Sequence, residues 1–308
     1  MFRIIPDTNI NFIGARKIAF GVSILLVALG LFAAVMIGTG RGNLGIDFAG
    51  GAMLQGHFAE PVAIDDLRGA LTGTFDDVKV STIKDFKLPN AFMIKTKRPE
   101  TEGESKERVA VIKDIMVERF PGNTFAVDSE HIIGPAVGES LRKDAMFAIL
   151  ISLAGIIVYI WIRFDFRSGI AATVATFHDV LAVLGISYFA GIEFDLLIVT
   201  ALLTLAGYSL TDTVVVYDRI RENLKKFRGR GEFVTSVNRS INEVLSRTFM
   251  TSGTTLLMVV TLAAVGGEVL RSFSIALILG VIIGTYSSVF VASPIIVEWE
   301  ARRPRLFK

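Results

Sequence analysis

The sequence predicts an α-helical polytopic membrane protein with six transmembrane helices and a small α+β external domain between the first and second. Three observations carry this. The 308 residues are 52% hydrophobic and only 20% charged, with a mean hydropathy of +0.56, more apolar than an ordinary soluble domain. Six stretches, 18–37, 145–162, 170–190, 196–217, 249–265 and 273–297, reach the roughly 17–25 apolar residues that cross a bilayer core. The one long interval between them, 39–143, alternates strand-like and helix-like patterns instead.

Taken in order, the first span follows Arg16 and Lys17, as a signal peptide would. Its apolar run exceeds a usual signal core and no small-residue cleavage site follows Met36, so it reads as an uncleaved anchor. In the interval, 48–58 has strand character, and 64–71 is helical with Asp65 and Asp66 in its first turn. Two alternating runs, 78–86 and 91–96, flank a turn at 87–90 that contains Pro89. Residues 102–119 place Val109, Ile112, Ile115 and Met116 on one helical face, and 124–132 is a last strand. The succession β-α-β-β-α-β is the split, ferredoxin-like pattern.

Basic residues orient the chain. Arg3, Arg16 and Lys17 precede the first span, Arg163 and Arg167 separate the second and third, and Arg219, Arg221, Lys225, Lys226, Arg228, Arg230 and Arg239 crowd the fourth-to-fifth link. The third-to-fourth link carries two acids and no base. Both termini are therefore expected in the cytoplasm. The expected organisation is 1–38 for the N-terminus and first helix, 39–143 for the external domain, 144–300 for a five-helix bundle with a basic link at 218–248, and 301–308 for a basic tail. Topology accounts for the basic clusters, so nucleic acid is not an expected partner; membrane lipids are.

Composition also narrows the chemistry. Cysteine is absent and the histidines, His57, His131 and His178, are dispersed, so neither a thiolate nor a clustered metal site is expected. No phosphate-cradling G-x-x-x-x-G-K-S/T motif occurs. No nucleophile and base share a motif, and neither an enzyme nor a cofactor is expected.

Asp212 is the exception to this apolar pattern. It lies in the fourth span about five residues, ~7 Å at 1.5 Å per residue, from the cytoplasmic end. An ionised carboxylate at that depth must be paired, protonated or facing water. Thr200, Thr204, Tyr208 and Thr211 recur at helical spacing before it, which predicts a polar stripe. Arg247 opens the next span with Thr251 and Thr255 on its face. It is read either as a snorkelling anchor or as the charge partner of Asp212. Asp179 in the third span, beside His178, suits either a structural hydrogen bond or a proton relay. The last span repeats Ala276, Gly280, Gly284, Ser288 and Ala292 every four residues, a ridge that lets another helix approach closely. After the first span, Gly50 and Gly51 permit a bend and Asp47 can accept from free amides, which predicts a joint coupling membrane to external domain.

These motifs resemble a known family. Gly45-Ile46-Asp47-Phe48-Ala49-Gly50-Gly51 follows the first span and His178-Asp179 lies in the third. The run 207–223, from Gly207-Tyr208-Ser209-Leu210-Thr211-Asp212 to Arg221-Glu222-Asn223, closes the fourth. Ser246-Arg247-Thr248 and Thr251-Ser252-Gly253-Thr254-Thr255-Leu256 open the fifth. Across essentially its whole length the chain resembles the SecF side of the SecD/SecF family of protein-export proteins, within the resistance-nodulation-division superfamily. The resemblance implies a half-transporter of the bacterial inner membrane that pairs with SecD. It also implies work with the SecYEG channel, the SecA motor and YajC on exported unfolded polypeptide, driven by the proton-motive force. The positions matching Asp212 and Arg247 are those the family associates with proton coupling. Two other readings stay open: a half-transporter for a lipid or small amphiphile, and a scaffold that moves no protons.

Overall fold

The computed structural model describes residues 8–75, 77–83, 90–97, 101–226 and 233–302. Among these, six helices are long and apolar enough to cross a membrane. Most of the 87–90 turn and of the 301–308 tail, together with Arg3, lies outside the described residues. The first helix, α1 (Arg16–Gly38), leads through a linker into α2 (Ile46–Ala49). The small domain then runs β1 (Gly51–Phe58), α3 (Ile64–Thr72), β2 (Lys79–Ile83), β3 (Ala91–Lys97), α4 (Glu102–Arg119) and β4 (Phe125–Ile133). Its sheet order is β2-β3-β1-β4 with every neighbour antiparallel, the split arrangement expected from the order of elements. Leu54, Phe58 and Ile94 on the sheet close against Leu67, Leu71, Val109, Ile112 and Met116 on the helices.

The start of the first strand differs from expectation. Residues 48–50 end a helical turn and do not begin the strand. Gly50 (φ +73°) and Gly51 (φ +147°) take up the change of direction, in backbone space that L side chains avoid. A Cβ on Gly51 would lie 2.1 Å from the Thr96 carbonyl oxygen, and one on Gly50 3.1 Å from Pro135 Cα. The predicted bend is therefore a tightly packed corner.

The bundle continues with α5 (Pro135–Arg163), α6 (Phe166–Phe189), α7 (Leu196–Lys226) and α8 (Phe233–Val265). It closes with α9 (Gly267–Ser287) and α10 (Ser293–Arg302). A π-helical turn, Ser288–Ala292, joins these last two. Pro294 lacks the N–H that an α-helix needs there, and Ser293 Oγ donates to Ser288 O at 2.8 Å across the wide turn. Ala276, Gly280, Gly284 and Ser288 are all buried; Gly280 faces Leu205 and Gly284 faces Ser209, both on α7. A closer crossing, which the ridge did not point to, joins α1 and α6 backbone to backbone at Gly30 and Gly185. Much of the basic 218–248 link is helix: α7 and α8 extend beyond their apolar stretches and pair through Arg219–Glu243 (2.6 Å) and Asn223–Ser240 (2.9 Å).

Candidate proton site and domain joint

α7 passes through the bundle with Thr200, Thr204 and Thr211 exposed and Ser209, Asp212 and Thr213 buried. Successive helical residues differ by about 100°, so Asp212 points away from Thr211 and into the seam between α7, α8 and α9. There Ser252 Oγ donates to Asp212 Oδ2 at 3.2 Å, and Thr285 Oγ1 donates to Ser252 Oγ at 2.7 Å. Thr285 Oγ1 also lies 2.7 Å from Val281 O. This chain can point either way. Ionised, Asp212 accepts from Ser252, which accepts from Thr285. Protonated, Asp212 donates to Ser252, Ser252 to Thr285 and Thr285 to Val281 O. A hydroxyl both donates and accepts, so neither state leaves the buried carboxyl unpartnered, which would cost about 1–3 kcal/mol.

The expected polar stripe takes a different role. Thr200, Thr204, Thr211, Thr251 and Thr255 each donate to a carbonyl one turn back on their own helix. The hydroxyls on α7 and that of Thr255 form no relay and leave an open polar face along α7 and α8, whereas Thr251 stands within reach of Asp212. Arg247 is exposed on that face. No ion pair within 4.0 Å joins it to Asp212 among the described residues, although its charge reaches the carboxylate. The reason is again angular: Arg247, Thr251 and Thr255 run along the open side of α8, while Thr248 and Ser252 run along the buried side. Ser252 and Thr285 were missed by sequence reasoning, and the buried pair Thr248 and Ser252, four apart, was the available signal. The Tyr208 and Thr248 hydroxyls, one turn from Asp212 and Ser252, are buried without partners among the described residues.

Asp179 lies elsewhere in the seam and is fully buried. His178 Nδ1 donates to one of its oxygens at 2.8 Å, and Ser209 Oγ and Ser287 Oγ donate to the other, Ser287 at 2.7 Å. These bonds tie α6 to α7 and α9 where Gly284 meets Ser209. His178 Nε2 has no partner among the described residues.

At the opposite end of α7, the Gly45–Gly51 motif and the α6–α7 turn meet. Asp47 Oδ2 accepts from Leu196 N at 3.0 Å and Asp195 Oδ1 from Ile198 N at 2.9 Å. Two carboxylates thus cap the helix that carries Asp212. Asp47 was expected to satisfy amides near its own glycines; it serves α7 instead. Gly45 N donates to Phe194 O and Phe194 N to Asn43 O, both at 2.8 Å. Beside them, Glu193 is buried under the sheet, with Lys79 Nζ at 3.2 Å, Lys95 Nζ at 3.1 Å and Lys97 Nζ at 2.9 Å. Strand alternation puts Lys95 and Lys97 on one face, and the register sets Lys79 opposite Lys95. Sequence reasoning missed this cluster too, although two lysines flanking Thr96 on a strand are a visible signal.

Burial pushes the Glu193 carboxyl up, but the Lys97 hydrogen bond and the charges of Lys95, Lys97 and Lys79 outweigh it and hold the group at about 2. A depressed carboxyl stabilises the folded state above its ordinary 4.5, and the contribution fades as pH falls towards about 2. The thermal-unfolding gap between the parent and Glu193→Gln is therefore expected to stay constant from about pH 8 to pH 5 and to narrow only in stronger acid. Fluorescence-detected melting across that range checks it; a gap that closes by about pH 5 contradicts the cluster.

The family profile described as "Protein export membrane protein SecD/SecF, C-terminal" matches residues 113–302. The "Protein translocase subunit SecF" of Thermodesulfovibrio yellowstonii is 47% identical, over 96% of this chain and 96% of its own. The "Protein translocase subunit SecDF" of Thermus thermophilus is 38% identical over 96% of this chain and 39% of its own. The crystal structure of SecDF, "a translocon-associated membrane protein" from Thermus thermophilus, superposes with a TM-score of 0.79 at 36% identity, over 96% of this chain and 39% of that one. The chain therefore belongs to the SecD/SecF family of protein-export membrane proteins.

Proposed function

We propose that the chain is the SecF-type subunit of the protein translocase, and that a proton exchanging on Asp212 drives its assistance to protein export. Family membership supports the translocase role and the pairing with SecD, since one relative carries both halves in a single chain. The observation that carries the proton reading is the Asp212–Ser252–Thr285 chain, which satisfies the carboxyl in both protonation states. Arg247 on the adjoining open face acts as the mobile countercharge. The exposed threonine face of α7 and α8 suits close packing against the SecD helices. Asp179, a carboxylate accepting from three donors, fixes the α6–α7–α9 crossing and takes up no proton during the cycle.

The protein spans the bacterial inner membrane with both termini cytoplasmic and the small domain outside, where it acts with SecYEG, SecA and YajC on emerging unfolded polypeptide. The test is proton entry into vesicles containing the purified complex with SecD, followed by a pH-sensitive dye under an imposed gradient. Flux is expected in the parent and absent in Asp212→Asn. Flux absent from the parent as well would favour a scaffold that moves no protons, and equal flux in both would take the proton path away from Asp212.

A further inference from the structure

The small domain meets the bundle at the start of α5 and at the α6–α7 turn, with β2 also lying against the start of α9. At the first, Gly138 packs against the Gly50 backbone, with 3.0 Å from its Cβ position to Gly50 N. The second is chemically unusual. Glu193 is 5% exposed, comes from the turn joining the helices that carry Asp179 and Asp212, and is held by three lysines from two strands of the other domain. Three cations on one sheet face repel one another, and a buried carboxylate without cations would be costly; each side is stable only with the other in place. Lys97 Nζ also donates to Asn43 Oδ1 at 3.1 Å, and Asn43 Nδ2 donates to Gly191 O at 2.9 Å. The linker after α1, the sheet and the α6–α7 turn thus share one network, and it continues through the Asp47 cap onto the first turn of α7.

We propose that Glu193 is the positioning residue that fastens the small domain to α7, so that sheet and α6–α7 turn move as one body when α7 moves. The proposal rests on the reading above only in taking α7 as the element that responds to the proton. Its function is transmission, not proton binding.

The chain has no cysteine, so introduced thiols are the only ones it carries, and the SecD partner is prepared with its own cysteines replaced. Spin labels at Val117→Cys on α4 and Phe189→Cys at the end of α6, both exposed positions, report the distance across the joint in the complex with SecD. In the parent this distance is expected to be a single narrow distribution, unchanged by a proton gradient. Glu193→Gln keeps the shape, removes the charge and is expected to broaden it. Glu193→Gln is expected to retain proton flux in vesicles yet lose reporter export in cells, and Glu193→Asp to restore export. A merely structural residue would lose flux and export together, which overturns the proposal. Normal export in Glu193→Gln, or a parental distance that shifts with the gradient, also overturns it. Failure of the proton reading shows separately, as flux in Asp212→Asn equal to the parent's, and leaves the label distances interpretable.

Discussion

In cells carrying Asp212→Asn, export of a secreted reporter falls to the level of a strain lacking the subunit, while membrane level and co-purification with SecD stay at parental values. The two halves of this expectation have separate causes. Assembly persists because asparagine fills the same volume and its amide can still accept from Ser252. It also removes a carboxylate whose placement inside a span is costly, though by less than the roughly 2.5–3.5 kcal/mol of a charge at the bilayer centre. The variant is therefore expected to melt no lower than the parent. Export fails because an amide cannot load and release a proton, so the hydroxyl chain through Ser252 and Thr285 stays in one polarity. Ser252→Ala keeps the titratable group but leaves it without its hydroxyl partner, at a cost of about 1–3 kcal/mol, so export slows by roughly five- to 150-fold. Pulse-labelled reporter processing, with immunoblots of the membrane fraction, measures both. Parental export in Asp212→Asn would sink the proton reading, whereas loss of membrane level would make the acid a packing residue.

The six helices were legible because about 20 apolar residues in a row have few other uses, and the α+β domain because its strand and helix periods alternate. Angle was harder to read. Thr211 and Asp212 are neighbours in sequence, yet one faces the open side of α7 and the other the seam. A stripe identified by polarity alone merged two faces and set Arg247, in place of Ser252, beside the acid. The partners of Asp179 on α7 and α9 were equally hidden, since Ser209 and Ser287 stand 30 and 108 positions away. The joint was visible only in part. Gly50 and Gly51 announced a special backbone, but nothing local to Asp47 indicated that it caps a helix 149 positions on. Glu193 counted only as one acid in a short link until the register set three lysines around it. Local pattern fixes what an element is; a buried charge depends on which elements meet.

The same distinction governs the second large effect, at the crossing of α1 and α6. Gly30→Ala is expected to deplete the protein from the membrane and abolish co-purification with SecD, although it adds a single methyl group. A Cβ there would lie 2.2 Å from the Leu181 carbonyl oxygen, and one on Gly185 only 2.7 Å from Gly30 N. Both obstacles are backbone, so no side chain can rotate away and the helices themselves must separate. Within a bilayer such separation forfeits the close packing that holds spans together, since apolar contact with lipid replaces it at little cost. Overpacking ordinarily costs about 1–3 kcal/mol, and a rigid obstacle places this change at the upper end or beyond it. Gly280→Ala provides the contrast. Its Cβ would meet the Leu205 side chain at 2.8 Å, a flexible tip that can turn aside, so the loss is expected to stay within about 1.5 kcal/mol. The ridge on α9 has the stronger sequence pattern, yet the unpatterned pair Gly30 and Gly185 is expected to be the less replaceable. Membrane levels of the two alanine variants, compared at equal expression, decide between them. Depletion in Gly280→Ala with parental levels in Gly30→Ala would show that the ridge, and not the α1–α6 crossing, holds the bundle.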